Sequence, residues 1–118
     1  MTLPAFWSNS IGRRSEMHTD HPVNDYAAVV GGDTQFIDVR EPDEVAAGSL
    51  PGTINIPVSE LDTRASELDP ARRVVVLCRS GGRSTSAAKY LTSIGFSDVI
   101  NLTGGMLAVT SPIEGNPS

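Results

Sequence analysis

Short apolar runs alternate along this chain with amphipathic stretches, and the alternation predicts strands and helices in turn. Strands are predicted over residues 35–39, 53–56, 73–77 and 98–102. The run at 73–77, RVVVL, is the clearest of the four, because no polar residue interrupts it after its first position. Such an unbroken apolar run is typical of a strand that is covered on both faces of a parallel sheet.

Helices are predicted between these strands, over residues 22–30, 41–47, 59–68 and 84–94, with one more short helix after Gly104-Gly105. The clearest helix is the one at 84–94, which carries Ala87, Ala88 and Leu91 on one face and is followed by Gly95. The repeated order of strand and helix predicts the α/β class, with a small, mainly parallel sheet and helices on both faces.

The length of 118 residues fits one domain. We expect the folded domain over residues 17–110, with flexible tails at 1–16 and 111–118. The N-terminal segment is apolar first and basic afterwards, which is the reverse of a secretory signal, and no apolar stretch approaches the roughly 18 residues of a membrane span. We therefore expect a cytoplasmic protein without a membrane partner.

The charge and the cysteine count exclude several classes of function. A formal net charge of −5 argues against nucleic-acid binding as a main role. The only cysteine, Cys78, can form no internal disulfide and no cysteine-based metal cage. His18 and His21 are interpreted as solvated polar residues rather than as a metal site. We therefore expect no metal and no cofactor, and we expect a monomer.

The candidate chemistry lies where the clearest strand runs into CRSGGRS, residues 78–84, because ligands of open α/β sheets bind at the carboxyl ends of strands. Gly81 and Gly82 let successive backbone N–H groups point inward as an anion-binding nest. The following helix adds the partial positive charge of its N-terminus, and Arg79 and Arg83 add guanidinium groups. A cysteine at the rim of such a bowl should have a lowered pKa, and the thiolate is the nucleophilic form.

Alternatives to this interpretation remain. A lone cysteine at the end of a buried strand is often a small core residue. In a second alternative, Ser84 is only a helix N-cap and Arg83 only a solvated charge. Among catalytic roles, a phosphatase forms a phosphocysteine and a sulfurtransferase forms a persulfide. Arg83 follows Cys78 after four intervening residues, one fewer than in cysteine-dependent phosphatases and arsenate reductases. The smaller bowl favours a sulfane sulfur over a tetrahedral phosphoryl group.

Three further motifs accompany this loop: FIDVREPDE at 36–44, GSLPGTINIP at 48–57, and Gly-Phe followed by LTGG between 95 and 105. Together with CRSGGRS they resemble the single-domain rhodaneses, and the resemblance covers roughly residues 18 to 110. It implies a rhodanese-like fold with Cys78 as the catalytic persulfide carrier. It also implies a substrate-binding cradle that consists of Arg79, Ser80, Gly81, Gly82 and Arg83.

The chain departs from the family pattern at two positions. Ser49 stands where the family usually has histidine, and Val109 stands where it usually has tryptophan. Neither position belongs to the cysteine loop, so we expect altered packing more than lost activity. Arg40 of the first motif could act as a charge near the site, or Asp38 and Arg40 could together tie the end of a strand to neighbouring backbone. We favour the second interpretation, because buried charges are normally paired.

The function that the resemblance implies is that of a thiosulfate sulfurtransferase. It would move sulfane sulfur from a small anionic donor, thiosulfate or another persulfide donor, to cyanide, a thiol or a protein cysteine. Because the chain has no second cysteine, the acceptor must come from outside. The alternatives are a sulfur-carrier or regulatory binding module with little turnover and, with less support, a phosphatase or arsenate reductase. Removal of the Arg83 side chain is expected to weaken turnover with thiosulfate and to leave the fold intact.

Overall fold

The computed structural model describes residues 17–110, and the expected tails at 1–16 and 111–118 lie outside the described residues. Within the described range one sheet is formed by β1 (Thr19–Pro22), β2 (Gln35–Asp38), β3 (Ile54–Asn55), β4 (Val74–Leu77) and β5 (Val99–Thr103). Its strand order is β1-β5-β4-β2-β3, and every neighbouring pair is parallel. The sheet that was predicted as mainly parallel is therefore parallel throughout in this part of the chain.

The connections between the strands are helical. The α-helices are α1 (Pro42–Ala46), α2 (Leu61–Arg64), α3 (Gly82–Ser93) and α4 (Gly105–Ala108), and 3₁₀-helices cover Val23–Ala28, Val58–Glu60 and Ala65–Glu67. Residues of α2 and α3 pack on one face of the sheet, while the first 3₁₀-helix and α4 pack on the other. The prediction of helices on both faces is thus confirmed. In the part of the chain that the structure describes, no helix is long and apolar enough to cross a membrane.

Strand β4 lies at the centre of the sheet and divides the core in two. All four of its residues are fully buried. Val74 and Val76 join the apolar cluster with α3, whereas Val75 and Leu77 join the cluster on the opposite face. Successive side chains of a strand point to opposite faces, so the unbroken apolar run of β4 supplies both clusters. This is the burial that its sequence predicts.

The helix predicted over residues 22–30 is wrong in its type and its start. Residues Thr19–Pro22 form β1, and the helical segment that follows is a 3₁₀-helix over Val23–Ala28. Pro22 has an extended backbone, with φ −62° and ψ 136°, and Thr19 pairs with Ile100 of β5. The long-range pairing with β5 therefore overrides the local helical pattern.

The helix predicted over residues 59–68 is divided into three short pieces. The backbone dihedral angles depart from those of an ideal α-helix at Glu60, with φ −105° and ψ −1°, and at Arg64, with φ −107° and ψ 0°. The apolar face of this segment is nevertheless as predicted, because Leu61, Ala65 and Leu68 are all buried. The hydrophobic spacing thus identified the buried positions and missed the breaks between them.

Candidate active site

Three adjacent strand ends define the place of the candidate site. Strands β2, β4 and β5 are neighbours and run parallel, so their carboxyl ends lie side by side. Arg40 follows β2, Cys78 follows β4 directly, and Gly104-Gly105 follow β5 directly. The cysteine loop therefore has the end of another strand on each side of it, which is where open α/β sheets bind ligands.

Gly81 turns the cysteine loop into α3. Its backbone has φ 109° and ψ −15°, a conformation that residues with side chains rarely adopt. The Gly81 carbonyl accepts the Thr85 N–H at 3.0 Å as the first helical hydrogen bond. Helix α3 consequently begins at Gly82, earlier than the predicted 84–94, and Ser84 lies within the first turn. The alternative in which Ser84 caps the helix is wrong, since Gly81 is the N-cap residue.

The Cys78 sulfur is enclosed by its own loop. The residue is only 1 % exposed. The Gly81 N–H donates a hydrogen bond to Sγ at 2.9 Å, and the Ser84 hydroxyl oxygen lies 3.3 Å from Sγ on the other side, where it accepts from the thiol. Both contacts suit a sulfur that ionises, because the N–H already donates to it and a hydroxyl can do so after rotation.

The environment of Cys78 favours the thiolate. Burial by itself raises the pKa of the Cys78 thiol. Hydrogen bonds from the Ser84 side chain and the Ser84 backbone N–H lower that pKa, and those from the Gly81 and Ser80 backbone N–H groups lower it further. The hydrogen bonds outweigh burial, so the pKa lies below the ordinary value for a cysteine. The direction agrees with the expectation from the sequence.

Arg83 is held by a carboxylate from another element. Its two terminal nitrogens donate to the two carboxylate oxygens of Glu44 in α1, at 2.7 and 2.9 Å. This bidentate pair lowers the pKa of Glu44 to about 2 and raises the pKa of Arg83. Both side chains therefore stay ionised around neutral pH, and the positive charge of Arg83 is offset by its partner.

Arg79 is the guanidinium without such a partner. It is exposed, and among the described residues its side chain has no hydrogen bond or ion pair. It borders an open pocket of about 280 Å³ at the strand ends. The other residues that line this pocket are Arg40, Glu44, Ala47, Gly48, Met106 and Leu107. The pocket thus combines one uncompensated positive charge with apolar side chains.

Asp38 and Arg40 form a buried network that braces the end of β2. Asp38 is fully buried, and its carboxylate accepts hydrogen bonds from Arg40 Nε at 3.0 Å and from Arg40 Nη2 at 2.7 Å. Arg40 Nη2 also donates to the Gly48 carbonyl at 2.7 Å, and the Ser49 hydroxyl donates to Asp38 at 2.7 Å. These contacts support the structural interpretation of the pair. Ser49, one of the two departures, is a member of this network.

Helix α4 is bound to the backbone of the cysteine loop. The N–H groups of Met106 and Leu107 donate to the Cys78 and Arg79 carbonyls at 2.8 and 2.9 Å. This approach requires a glycine at position 105, because a Cβ there would lie 2.5 Å from both carbonyl oxygens. Val109, the second departure, follows α4 and packs against the apolar cluster on that face of the sheet.

Sequence reasoning placed the loop residues together and missed several of their partners. Of the predicted loop, the Gly81 N–H donates to the Cys78 sulfur, whereas Arg83 is bound to Glu44 and Arg79 borders the adjacent pocket. Glu44 and Thr85 are not among the predicted site residues, although Glu44 belongs to the FIDVREPDE motif and Thr85 directly follows the loop motif. Among the described residues no cluster of three histidine, cysteine or acidic side chains could hold a metal, and His18 and His21 instead contact Asp20 and Asp25.

The rhodanese-like domain model matches residues 24–111 of this sequence. The chain belongs to the rhodanese-like domain family. A sulfurtransferase of Allochromatium vinosum is 41 % identical to it over 76 residues, which cover 64 % of this chain and 71 % of that protein. The rhodanese-like/PpiC domain-containing protein 12 of Arabidopsis thaliana chloroplasts is 42 % identical over 86 residues, which cover 70 % of this chain and 29 % of that protein. The domain therefore spans less than a third of the Arabidopsis protein. These similarities support a sulfurtransferase.

A solved structure agrees with the fold of this rhodanese-like domain. The crystal structure of a rhodanese-related protein from Thermoplasma volcanium superposes with a TM-score of 0.73 at 29 % sequence identity. The superposition covers 83 % of this chain and 99 % of that one. The predicted α/β fold of the rhodanese type is confirmed.

Proposed function

We propose that this rhodanese-like domain is a thiosulfate sulfurtransferase that carries sulfane sulfur as a persulfide on Cys78. The observation that carries the proposal is the set of hydrogen bonds around one enclosed sulfur, with the Gly81 N–H donating to it and the Ser84 hydroxyl beside it. Because its pKa is lowered, the Cys78 thiol supplies more thiolate than an ordinary cysteine does at the same pH. No other cysteine in the chain can take this role.

The proposed reaction has two displacements at sulfur. In the first, the Cys78 thiolate attacks the outer sulfur of thiosulfate, the sulfur–sulfur bond of the donor breaks, and sulfite leaves with the bonding electron pair. Cys78 then carries a persulfide anion. In the second, cyanide or a thiolate attacks the outer sulfur of this persulfide, and the Cys78 thiolate leaves with the bonding pair. The cysteine is restored, and no external oxidant or reductant is needed.

The charges around the loop suit an anionic donor. Arg79 offers a guanidinium that no described residue neutralises, and α3, which is 12 residues long, directs its N-terminus at the loop. Backbone N–H groups of the loop can hold the negative charge that collects on the outer sulfur, without reorganisation during the reaction. The donor class is therefore a small sulfur-containing anion, and the acceptor is a thiol or a protein cysteine.

The bidentate pair of Arg83 also bears on the phosphatase alternative. A phosphoryl group needs a free guanidinium that donates bidentate hydrogen bonds to its equatorial oxygens. In this domain both terminal nitrogens of Arg83 are bound to Glu44. Sulfur transfer, which needs only a small anion close to the thiolate, fits this arrangement better than phosphoryl transfer.

The first test is the intact mass of the purified protein before and after incubation with thiosulfate. We expect the mass to rise by one sulfur atom and to return to its original value when cyanide is added. Incubation with sulfate serves as the control, because sulfate has a similar charge and no sulfane sulfur. If no sulfur is taken up while Cys78 still reacts with an alkylating reagent, thiosulfate is not the donor. If Cys78 loads but passes sulfur only to a partner protein, the sulfur-carrier alternative is correct.

Arg79 and Arg83 should differ in their effect on the donor. Arg79→Ala is expected to raise KM for thiosulfate about tenfold, because it removes the uncompensated charge at the pocket. Arg83→Ala is expected to raise KM only about twofold to threefold, because Glu44 already offsets the charge of that guanidinium. Steady-state kinetics with thiosulfate and cyanide measures both values.

Arg72→Ala is the matched control for both arginine variants. The Arg72 guanidinium contacts the Asp33 carbonyl, at the opposite end of the strands from Cys78. Its removal should leave KM unchanged. Equal KM values for Arg79→Ala and Arg72→Ala would show that Arg79 does not contact the donor.

A further inference from the structure

Three hydrogen-bond donors contact the Gly81 carbonyl oxygen, more than it can accept at once. The Thr85 N–H donates to it at 3.0 Å, the Thr85 hydroxyl at 2.6 Å and the Ser84 hydroxyl at 3.2 Å. A carbonyl oxygen has two lone pairs, so three donors exceed its capacity. The Ser84 hydroxyl makes the longest of the three contacts and is the donor that this oxygen can lose most easily.

Asn101 determines the direction of the hydrogen bond between the Thr85 hydroxyl and the Gly81 carbonyl. Asn101 Nδ2 in β5 donates to Thr85 Oγ1 at 3.1 Å and to Asp20 Oδ1 at 3.1 Å. An ionised carboxylate can only accept, so the nitrogen of the Asn101 amide, and not its oxygen, must face Asp20 and Thr85. Thr85 Oγ1 therefore accepts from Asn101, and its own hydrogen is directed to Gly81.

The orientation of Asn101 is kept at a cost. Asn101 is 2 % exposed, and its amide oxygen is buried without a hydrogen-bond partner in the described structure. A buried acceptor that stays unpaired is unfavourable. Flipping the amide would not relieve this cost, because it would place the oxygen against the Asp20 carboxylate. The amide is thus locked in the orientation that makes Thr85 a donor to the Gly81 carbonyl.

Ionisation of Cys78 changes the acceptor to which the Ser84 hydroxyl donates its hydrogen bond. In the thiol state the sulfur donates to Ser84 Oγ, and the Ser84 hydrogen is directed to the Gly81 carbonyl. When the thiol proton leaves, the sulfur can only accept, and the Ser84 hydrogen can rotate toward it across the same 3.3 Å contact. The Gly81 carbonyl then keeps both donors of Thr85 and is not left unsatisfied.

We propose that Thr85, oriented by Asn101, is a positioning residue that holds the Gly81 carbonyl and thereby frees the Ser84 hydroxyl to stabilise the Cys78 thiolate. This inference rests on the proposed function, because only a mechanism through the Cys78 thiolate uses it. Thr85 acts through Ser84 and does not itself contact the sulfur. Its effect should therefore depend on Ser84 being present.

The test is the pH titration of Cys78, followed by the ultraviolet absorbance of its thiolate, with the Cys78→Ser protein as the background. Thr85→Val removes the hydroxyl and keeps the shape, and it should raise the apparent pKa of Cys78 by roughly 0.5 to 1 unit. Thr85→Ser keeps the hydroxyl and should titrate like the wild type. Ser84→Ala should raise the pKa by about one unit, and the double variant Ser84→Ala with Thr85→Val should match Ser84→Ala alone.

Thr92→Val is the matched control, because the Thr92 hydroxyl also donates to a carbonyl of α3, that of Lys89, farther along the helix. It should not change the pKa. The charged groups on the elements around the loop are unchanged in every variant: Asp20, Asp38, Arg40, Glu41, Glu44, Arg79 and Arg83.

Several results would overturn the proposal: a wild-type pKa in Thr85→Val, additive shifts in the double variant, or an equal shift in Thr92→Val. The titration uses sulfur-free protein, so a failure to load from thiosulfate would refute the proposed donor without affecting these values.

Discussion

Cys78→Ser is expected to abolish sulfur uptake from thiosulfate and to lower cyanide-dependent turnover by more than about 10³-fold. The chain has no second cysteine that could replace Cys78, the proposed nucleophile. A serine hydroxyl at this position stays protonated at neutral pH and forms no stable bond to sulfane sulfur. The intact mass after incubation with thiosulfate measures the loading step, and the release of thiocyanate measures the complete reaction.

The fold should survive this substitution. A serine hydroxyl can still accept the Gly81 N–H and contact Ser84, so we expect a change in the free energy of unfolding within about 1 kcal/mol. Wild-type protein alkylated at Cys78 is the matched control, because it blocks the sulfur without changing the sequence. Sulfur uptake that persists in Cys78→Ser, or in the alkylated protein, would show that the sulfur is carried elsewhere.

Among glycine-to-alanine substitutions at the site, Gly105→Ala should destabilise the domain most. Gly105 has φ +60°, and the new Cβ would lie 2.5 Å from the Cys78 and Arg79 carbonyl oxygens. Helix α4 would have to move away, which weakens the hydrogen bonds from Met106 and Leu107 to those carbonyls. Backbone strain and weakened hydrogen bonds together predict a loss of roughly 3 kcal/mol in the free energy of unfolding.

Thermal unfolding and thiosulfate loading measure the two consequences. For a domain of this size we expect the melting temperature to fall by roughly 10 °C or more, and we expect slower loading at temperatures where the variant is still folded. Gly31→Ala is the matched control, because a Cβ there would meet nothing within 4 Å and the backbone does not have positive φ. If the Gly105→Ala protein had the same melting temperature as the wild type, α4 would not constrain the cysteine loop.

The buried strands and the long helix could be predicted because their signals are local. The apolar run of β4 and the amphipathic face of α3 lie within single short segments, and both were predicted. β1 could not be predicted in the same way. Its sequence, TDHP, has no apolar alternation, and it is a strand only because Thr19 and the residues after it pair with β5 far along the chain.

The candidate site likewise has parts that local sequence predicts and parts that depend on contacts between distant segments. The loop from Cys78 to Ser84 is contiguous, so its anion-binding character can be inferred from residue types alone. The partner of Arg83 cannot, because Glu44 lies 39 residues away and meets it only when β2 and β4 are adjacent. The steric demand on Gly105 is equally invisible in the sequence, since it arises from carbonyl groups at the end of another strand.

The strand order also separates the exposed side chains at the pocket from the buried strand that Cys78 follows. Cys78, the proposed nucleophile, follows β4, whose residues are buried on both faces, whereas Ala47 and Leu107 at the pocket follow β2 and β5 and are exposed. Substitution of these two side chains leaves the core of the sheet unchanged. We therefore expect relatives with this strand order to differ in the exposed segments at the pocket more than in the loop that follows β4.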